Sequence, residues 1–188
     1  KFVEASLSGV LILEPKVFED ERGYFMETHR RDKFAAAGID YEFVQDNHSH
    51  SVKGTLRGLH FQEPHAQGKL VWAVNGVIFD VAVDIRRGSP YFGRWVGVEL
   101  TSENRKQIWV PPGFAHGLQV VSETADVLYK CTDVYAPDDE HVIAWNDPDI
   151  GIDWPIKEPH LSERDAGAQG LSKALHLPDY EADTTSRT

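Results

Sequence analysis

The feature that most restricts this chain is a succession of short apolar runs punctuated by turn residues from near its first residue to about residue 145. We read β-type runs at Gly9–Glu14, Tyr41–Asp46, Thr55–Gln62, Leu70–Val74, Val77–Arg86, Trp95–Leu100, Lys106–Val110, Gly117–Val121, Ala125–Asp133 and His141–Trp145. Between them fall Asn75-Gly76, Gly88-Ser89-Pro90, Pro111-Pro112-Gly113 and Pro137-Asp138-Asp139. Many short strands with regular turns imply an all-β antiparallel sandwich or barrel, not an alternating βα sheet. Asn75-Gly76 between two apolar runs predicts a tight hairpin. In Val77–Arg86 the odd positions form one apolar face and Ile78, Asp80, Ala82, Asp84 and Arg86 a second, expected to be wetter. Asp46–Ser51 is polar throughout and reads as a loop. Helices are few: Arg31–Ala37 closed by Gly38, and a C-terminal helical segment opened by the capping box Ser162-Glu163-Arg164-Asp165.

The 188 residues read as one domain, 1–188, with a polar tail at 181–188 expected to be flexible. No apolar run approaches the ~18 residues of a membrane span, and no signal peptide is visible at the start. One cysteine, Cys131, precludes an intrachain disulfide and suggests the cytoplasm. A net charge of −11 opposes nucleic acid and anionic membranes, so any anionic small molecule needs a local cluster of Arg and Lys. G-x-G-x-x-G, G-x-x-x-x-G-K-[ST], G-x-S-x-G and paired C-x-x-C patterns are missing, which weighs against nucleotide-cofactor redox, P-loop, serine-hydrolase and structural-zinc chemistry.

Several residues suit chemistry while also having plain structural readings. His48 and His50 are spaced as strand metal ligands, with His60 or His116 as a third, or are simply solvated. In Leu56–Gln62, Arg57 and His60 lie three apart, so a flat strand separates them; sharing one ligand requires a kink near Gly58. Lys69 either caps a strand in water or points inward as a desolvated cation. His116 follows the rigid turn Pro111-Pro112-Gly113. Val127, Tyr129, Cys131 and Asp133 share a strand face that Tyr135 continues; the two tyrosines are core aromatics, or a proton donor and a stacking platform. Asp165 completes the capping box or orients a histidine.

In order along residues 5–165, the blocks Asp20–Phe25, Phe43–Ser49, Leu56–Gln62, Gln67–Val71, Phe79–Asp84, Pro111–Gly117, Leu128–Lys130 and Ile150–Pro155 resemble the dTDP-4-dehydrorhamnose 3,5-epimerases. That resemblance implies a cupin-like antiparallel jelly-roll barrel and a homodimer whose N-terminal segment reaches the partner's site. It implies epimerisation of a dTDP-4-keto-6-deoxy sugar nucleotide without cofactor or metal. Carried over by position, it makes His60 the base, Asp165 its orienting partner, Lys69 the enolate stabiliser and Tyr129 the acid. Arg22 and Arg57 would grip the diphosphate and Tyr135 would stack on thymine. Glu27, Gln45, Asp46, Asn47, His116, Glu140 and Arg164 match other substrate-contacting positions. Two residues depart from the pattern: Trp72 stands where Arg is common, expected to alter nucleotide contacts, and Arg164 where Lys is common. A mono-epimerase, a metal-dependent cupin enzyme and a non-catalytic sugar-nucleotide-binding barrel are the alternatives.

Overall fold

A computed structural model describes residues 1–180; the tail at 181–188 lies outside them. In chain order the strands are β1 (Phe2–Glu4), β2 (Leu11–Leu13), β3 (Val17–Asp20) and β4 (Gly23–Met26), followed by helix α1 (Arg31–Ala36). There follow β5 (Gln45–Val52), β6 (Leu56–Gln62), β7 (Lys69–Asn75), β8 (Val77–Asp84) and β9 (Trp95–Thr101). The last strands are β10 (Gln107–Val110), β11 (Phe114–Val120), β12 (Thr124–Cys131) and β13 (Glu140–Val142), before helix α2 (Glu163–Ala166) and a 3₁₀ turn at Leu171–Lys173. All strand pairings are antiparallel. Two sheets face each other as a jelly roll, with orders β1-β2-β10-β7-β12-β5 and β13-β6-β11-β8-β9, and β3-β4 stands apart as a hairpin. Among the described residues no helix is long and apolar enough to cross a membrane.

Three apolar layers follow from strand parity. Between the sheets, Val71, Ala73 and Val127 meet Ile78, Ala82 and Leu118. Behind the five-stranded sheet, Val81, Val83 and Ile85 are covered by Ile143, Trp154, Leu171 and Leu177 from the C-terminal segment. Behind the six-stranded sheet, Leu70, Trp72 and Trp109 pack under Phe34 of α1 and Ile39. Burying several such side chains at roughly 1.5–3 kcal/mol each is what holds the layers together.

This layering revises three expectations. The second face of β8 is not wet: it is the inner face, where Asp80 and Asp84 are fully buried and hydrogen-bonded to His116, and to Arg86 and Ser89. Asn75-Gly76 does not close a hairpin, because β7 and β8 belong to different sheets. Gly76 has φ +75° and turns the chain from one sheet to the other, a corner with the same local turn chemistry as a hairpin. Asp46–Ser51 is not a loop but most of edge strand β5, polar on both sides because it borders solvent outside and a polar cavity inside. The helix at residue 31 ends under Gly38 (φ +88°) as its sequence predicts.

The kink that a ligand shared by Arg57 and His60 would require in β6 is present. His60 pairs with His116 but Arg57 with Leu118, so three steps on β6 match two on β11. The extra residue reverses parity: Leu56 and Leu59 both enter the rear layer, and Arg57 and His60 share the inner face. Gly58 makes this possible. Its φ is +124°, and a Cβ there would lie 2.6 Å from Gly117 Cα and 2.7 Å from the His116 carbonyl oxygen. Gly58→Ala is expected to cost about 2–4 kcal/mol by urea denaturation at unchanged m-value. A loss below about 0.5 kcal/mol would show that the bulge does not need glycine.

Candidate active site

A cavity of about 270 Å³ opens between the two sheets. Its six-stranded wall is built from two cross-strand rows. One runs Gln45–Cys131–Lys69 and the next Asn47–Tyr129–Val71, each residue directly opposite its neighbour in the ladder. The same alternation sends Asp46, His48, Lys130 and Leu128 to the outer face. The facing wall comes from β6, which contributes His60, and β13, which contributes Glu140. Gln67 and Tyr135, on the loops after β6 and β12, complete the mouth.

His60 is held from behind. Its Nε2 lies 2.7 Å from Asp165 Oδ1, whose side chain is 5% exposed. Burial pushes the Asp165 carboxyl up, but hydrogen bonds from His60, the Ser162 hydroxyl and the Gly58 backbone outweigh it and hold the group below its ordinary range. Asp165 is therefore an acceptor, Nε2 is the nitrogen that donates to it, and Nδ1 is left facing the cavity. Ser162 caps α2 by accepting from the Asp165 backbone N–H at 3.1 Å, which frees the carboxylate for His60. Sequence offers capping and orientation as alternatives; Asp165 meets both, one through its backbone and one through its side chain.

On the opposite wall, burial lowers the pKa of Lys69, partly countered by Cys131, Glu140 and Asp80. Burial raises the Tyr129 phenol, with Arg57 pulling the other way, so the hydroxyl keeps its proton at neutral pH. Arg57 reaches back to β5, its Nε and Nη2 donating to Ser51 Oγ at 3.2 and 3.1 Å. His116 sits opposite His60 in the ladder, buried, with Nε2 3.0 Å from both Asp80 oxygens. Gln45 accepts from the Tyr135 backbone N–H at 2.8 Å, and the Tyr135 hydroxyl donates to Glu140 Oε2 at 2.8 Å. Arg164 binds the Glu140 carboxylate and, through Nη2, the Glu140 carbonyl at 2.6 Å.

Of the residues singled out from sequence, His60, Lys69, Tyr129, Gln45, Asn47, Tyr135 and Glu140 line this one cavity. Asp165 and Arg164 buttress it. His116 is the buried cross-strand neighbour of His60, and Arg57 stands beside Tyr129. Three are elsewhere. Asp46 faces outward to Lys130 Nζ at 2.9 Å. Arg22, at the tip of the β3–β4 hairpin with its side chain 84% exposed, binds Asp20. Glu27 pairs with Lys33 at 2.6 Å beside a separate groove near Phe18 and Phe25. Trp72 also points away from the cavity, into the apolar layer under α1, so it does not meet a ligand bound there. His48 and His50 both converge on Asp126 Oδ1 at 3.0 Å, on the outer face. Sequence does not single out Gln67 or Cys131 as site residues; Cys131 shares the strand parity of Tyr129, which is the available signal.

Residues 4–173 match the dTDP-4-dehydrorhamnose 3,5-epimerase family. The chain is 52% identical over 180 residues to the dTDP-4-dehydrorhamnose 3,5-epimerase of Pseudomonas aeruginosa, covering 95% of this chain and 99% of that one. A crystal structure of a Legionella pneumophila 3,5-epimerase in complex with dTDP-4-keto-L-rhamnose superposes with a TM-score of 0.95 at 48% identity, over 97% of this chain and 99% of that one. A 3′-monoepimerase from Streptomyces bikiniensis, in complex with dTDP-quinovose, gives 0.89 at 38% identity, over 94% and 92%.

The ionised Asp165 also stabilises the fold, with a definite pH signature. A carboxyl whose folded pKa is lowered contributes stability above its unfolded pKa and loses it as pH falls through the folded value. Asp165→Asn is expected to cost about 1–3 kcal/mol at pH 7, the gap to the unmodified protein closing below about pH 4. Denaturation at both pH values checks this; a gap that is constant or widens in acid contradicts it.

Proposed function

The chain belongs to the dTDP-4-dehydrorhamnose 3,5-epimerase family, and from that premise we propose that it inverts C3 and C5 of dTDP-4-dehydro-6-deoxy-D-glucose to give dTDP-4-dehydro-L-rhamnose. The observation that carries this reading is the placement of an imidazole and a phenol on facing sheets of one cavity, with an ammonium on the strand next to the phenol's. A ketone at C4 acidifies the protons on C3 and C5, since either carbanion delocalises onto the keto oxygen. His60 Nδ1 removes the proton, the nitrogen left free by the Asp165 contact at Nε2. Lys69 stabilises the enolate oxygen, where a partly desolvated cation acts most strongly. Tyr129, protonated at neutral pH, returns a proton from the other wall. No step calls for a metal or nicotinamide.

Tyr135, half-exposed at the mouth, is placed to stack on the base, while Gln45, Asn47, Arg57, Glu140 and Arg164 provide polar contacts near the sugar and diphosphate. In this reading Arg22 and Glu27 serve a second copy's cavity in a homodimer. Support comes from the separate β3–β4 hairpin, whose Phe18, Tyr24 and Phe25 are 52, 55 and 71% exposed. We assign the reaction to the cytoplasm, as a single buried cysteine has no need of an oxidising compartment.

Incubation with the 4-keto sugar nucleotide in D₂O is expected to place deuterium at both C3 and C5, unaffected by chelator. His60→Ala should abolish exchange, and Tyr129→Phe should slow product formation by about 10²-fold or more while sparing initial exchange. Label at one carbon alone identifies a mono-epimerase. Binding with no label in either position identifies a sugar-nucleotide-binding barrel and refutes the epimerase reading.

A further inference from the structure

Two inversions demand more of a single base than one does. Each abstraction leaves His60 as an imidazolium, and the second requires a neutral ring again while the sugar is still in the cavity. Nε2 is committed to Asp165, so the proton taken from carbon sits on Nδ1, facing a space that the substrate fills. The His60 side chain is only 28% exposed before any sugar covers it. That proton needs a route out past the ligand.

Glu140 stands at that nitrogen. Its Oε1 is 4.0 Å from His60 Nδ1, just outside hydrogen-bond range and within reach of a small carboxylate rotation. Its two oxygens are differently engaged: Oε2 accepts from the Tyr135 hydroxyl and Arg164 Nη1, and Oε1 faces the imidazole. The side chain is 15% exposed, whereas Arg164 is 47% exposed and Tyr135 49%, so the group spans from the buried ring to the mouth. Arg164 grips both the carboxylate and the backbone carbonyl of this one residue. Two nitrogens of one planar fork, Nη1 and Nη2, divide the two acceptors between them, a fixed geometry that a single lysine nitrogen does not reproduce.

We infer that Glu140 relays the proton from His60 Nδ1 to water at the cavity mouth between the two inversions, an inference that rests on the proposed epimerase chemistry. The Nδ1–H bond breaks as Oε1–H forms. The resulting carboxylic acid gives the proton to water beside Tyr135 and Arg164, restoring neutral His60 and the Glu140 carboxylate. A solvent proton arrives separately through Tyr129, so each inversion exchanges one carbon-bound proton for one from water and the charge balances. Glu140 acts through His60, not on the sugar carbon, and Arg164 positions it.

A relay differs from a merely structural contact in that small buffers replace it. In the unmodified protein, turnover at fixed pH is expected to be independent of imidazole concentration. Glu140→Gln should lower kcat by about 10–100-fold at low buffer. It should release singly inverted sugar carrying deuterium at one carbon, and regain rate several-fold as imidazole is added. Glu140→Asp, which keeps a carboxylate, should remain insensitive to buffer. The inference is overturned by a Glu140→Gln rate that does not rise with imidazole, by label appearing at C3 and C5 together in that variant, or by buffer-dependent turnover in the unmodified protein. The last measurement needs no variant to fold. Deuterium at neither carbon in the unmodified protein defeats the epimerase reading itself, whereas the outcomes above leave that reading intact.

Discussion

The contact between His60 Nε2 and Asp165 Oδ1 ties together groups 105 residues apart, and the rest of the site is arranged around it. It settles which imidazole nitrogen donates to the carboxylate and which faces the cavity. It depends in turn on two features of the fold. The extra residue at Gly58 rotates His60 onto the inner face, and the C-terminal segment wraps the back of the five-stranded sheet to bring Asp165 up behind it. Trp154 and Leu171, packed in that rear layer, thus help to hold the segment that orients the ring.

Charge is managed locally. The chain as a whole carries −11, a field unfavourable to a nucleoside diphosphate at long range. Lys69 lines the cavity, Arg57 stands beside its Tyr129 and Arg164 holds its Glu140, and of the three it is Lys69 that gives up part of its proton affinity to burial. Carboxylates accompany them in fixed geometry: Asp165 behind His60, Glu140 in front of it, Asp80 beneath.

Much of the architecture is legible in the sequence because alternation reports which side of a strand is buried. It misleads where both sides are alike. β8 is apolar outward and closed by a C-terminal layer, so its two carboxylates look solvated when they are in fact buried and hydrogen-bonded. β5 has solvent on one side and a polar cavity on the other, so it resembles a loop. β3 and β4 are largely exposed and show no alternation. Asn75-Gly76 illustrates a different limit, since local turn chemistry says that the chain reverses but not whether it returns to the same sheet. In the site, strand parity groups Tyr129 with Cys131, and Gly58 announces a kink, but the pairing of His60 with Asp165 is a tertiary fact. Position-by-position resemblance, not periodicity, is what links those two residues before the fold is known.

The central claim is spatial: an imidazole nitrogen and a phenol approach one hexose from opposite sides. A crystal structure of the protein carrying both His60→Asn and Tyr129→Phe, soaked with the 4-keto sugar nucleotide, measures this directly. The account predicts the hexose lying between the two substituted side chains, with the amide at position 60 toward one face at C3 or C5 and the phenyl ring at position 129 against the other. Both side chains on the same face of the hexose, or a sugar bound outside the space between the sheets, would contradict it.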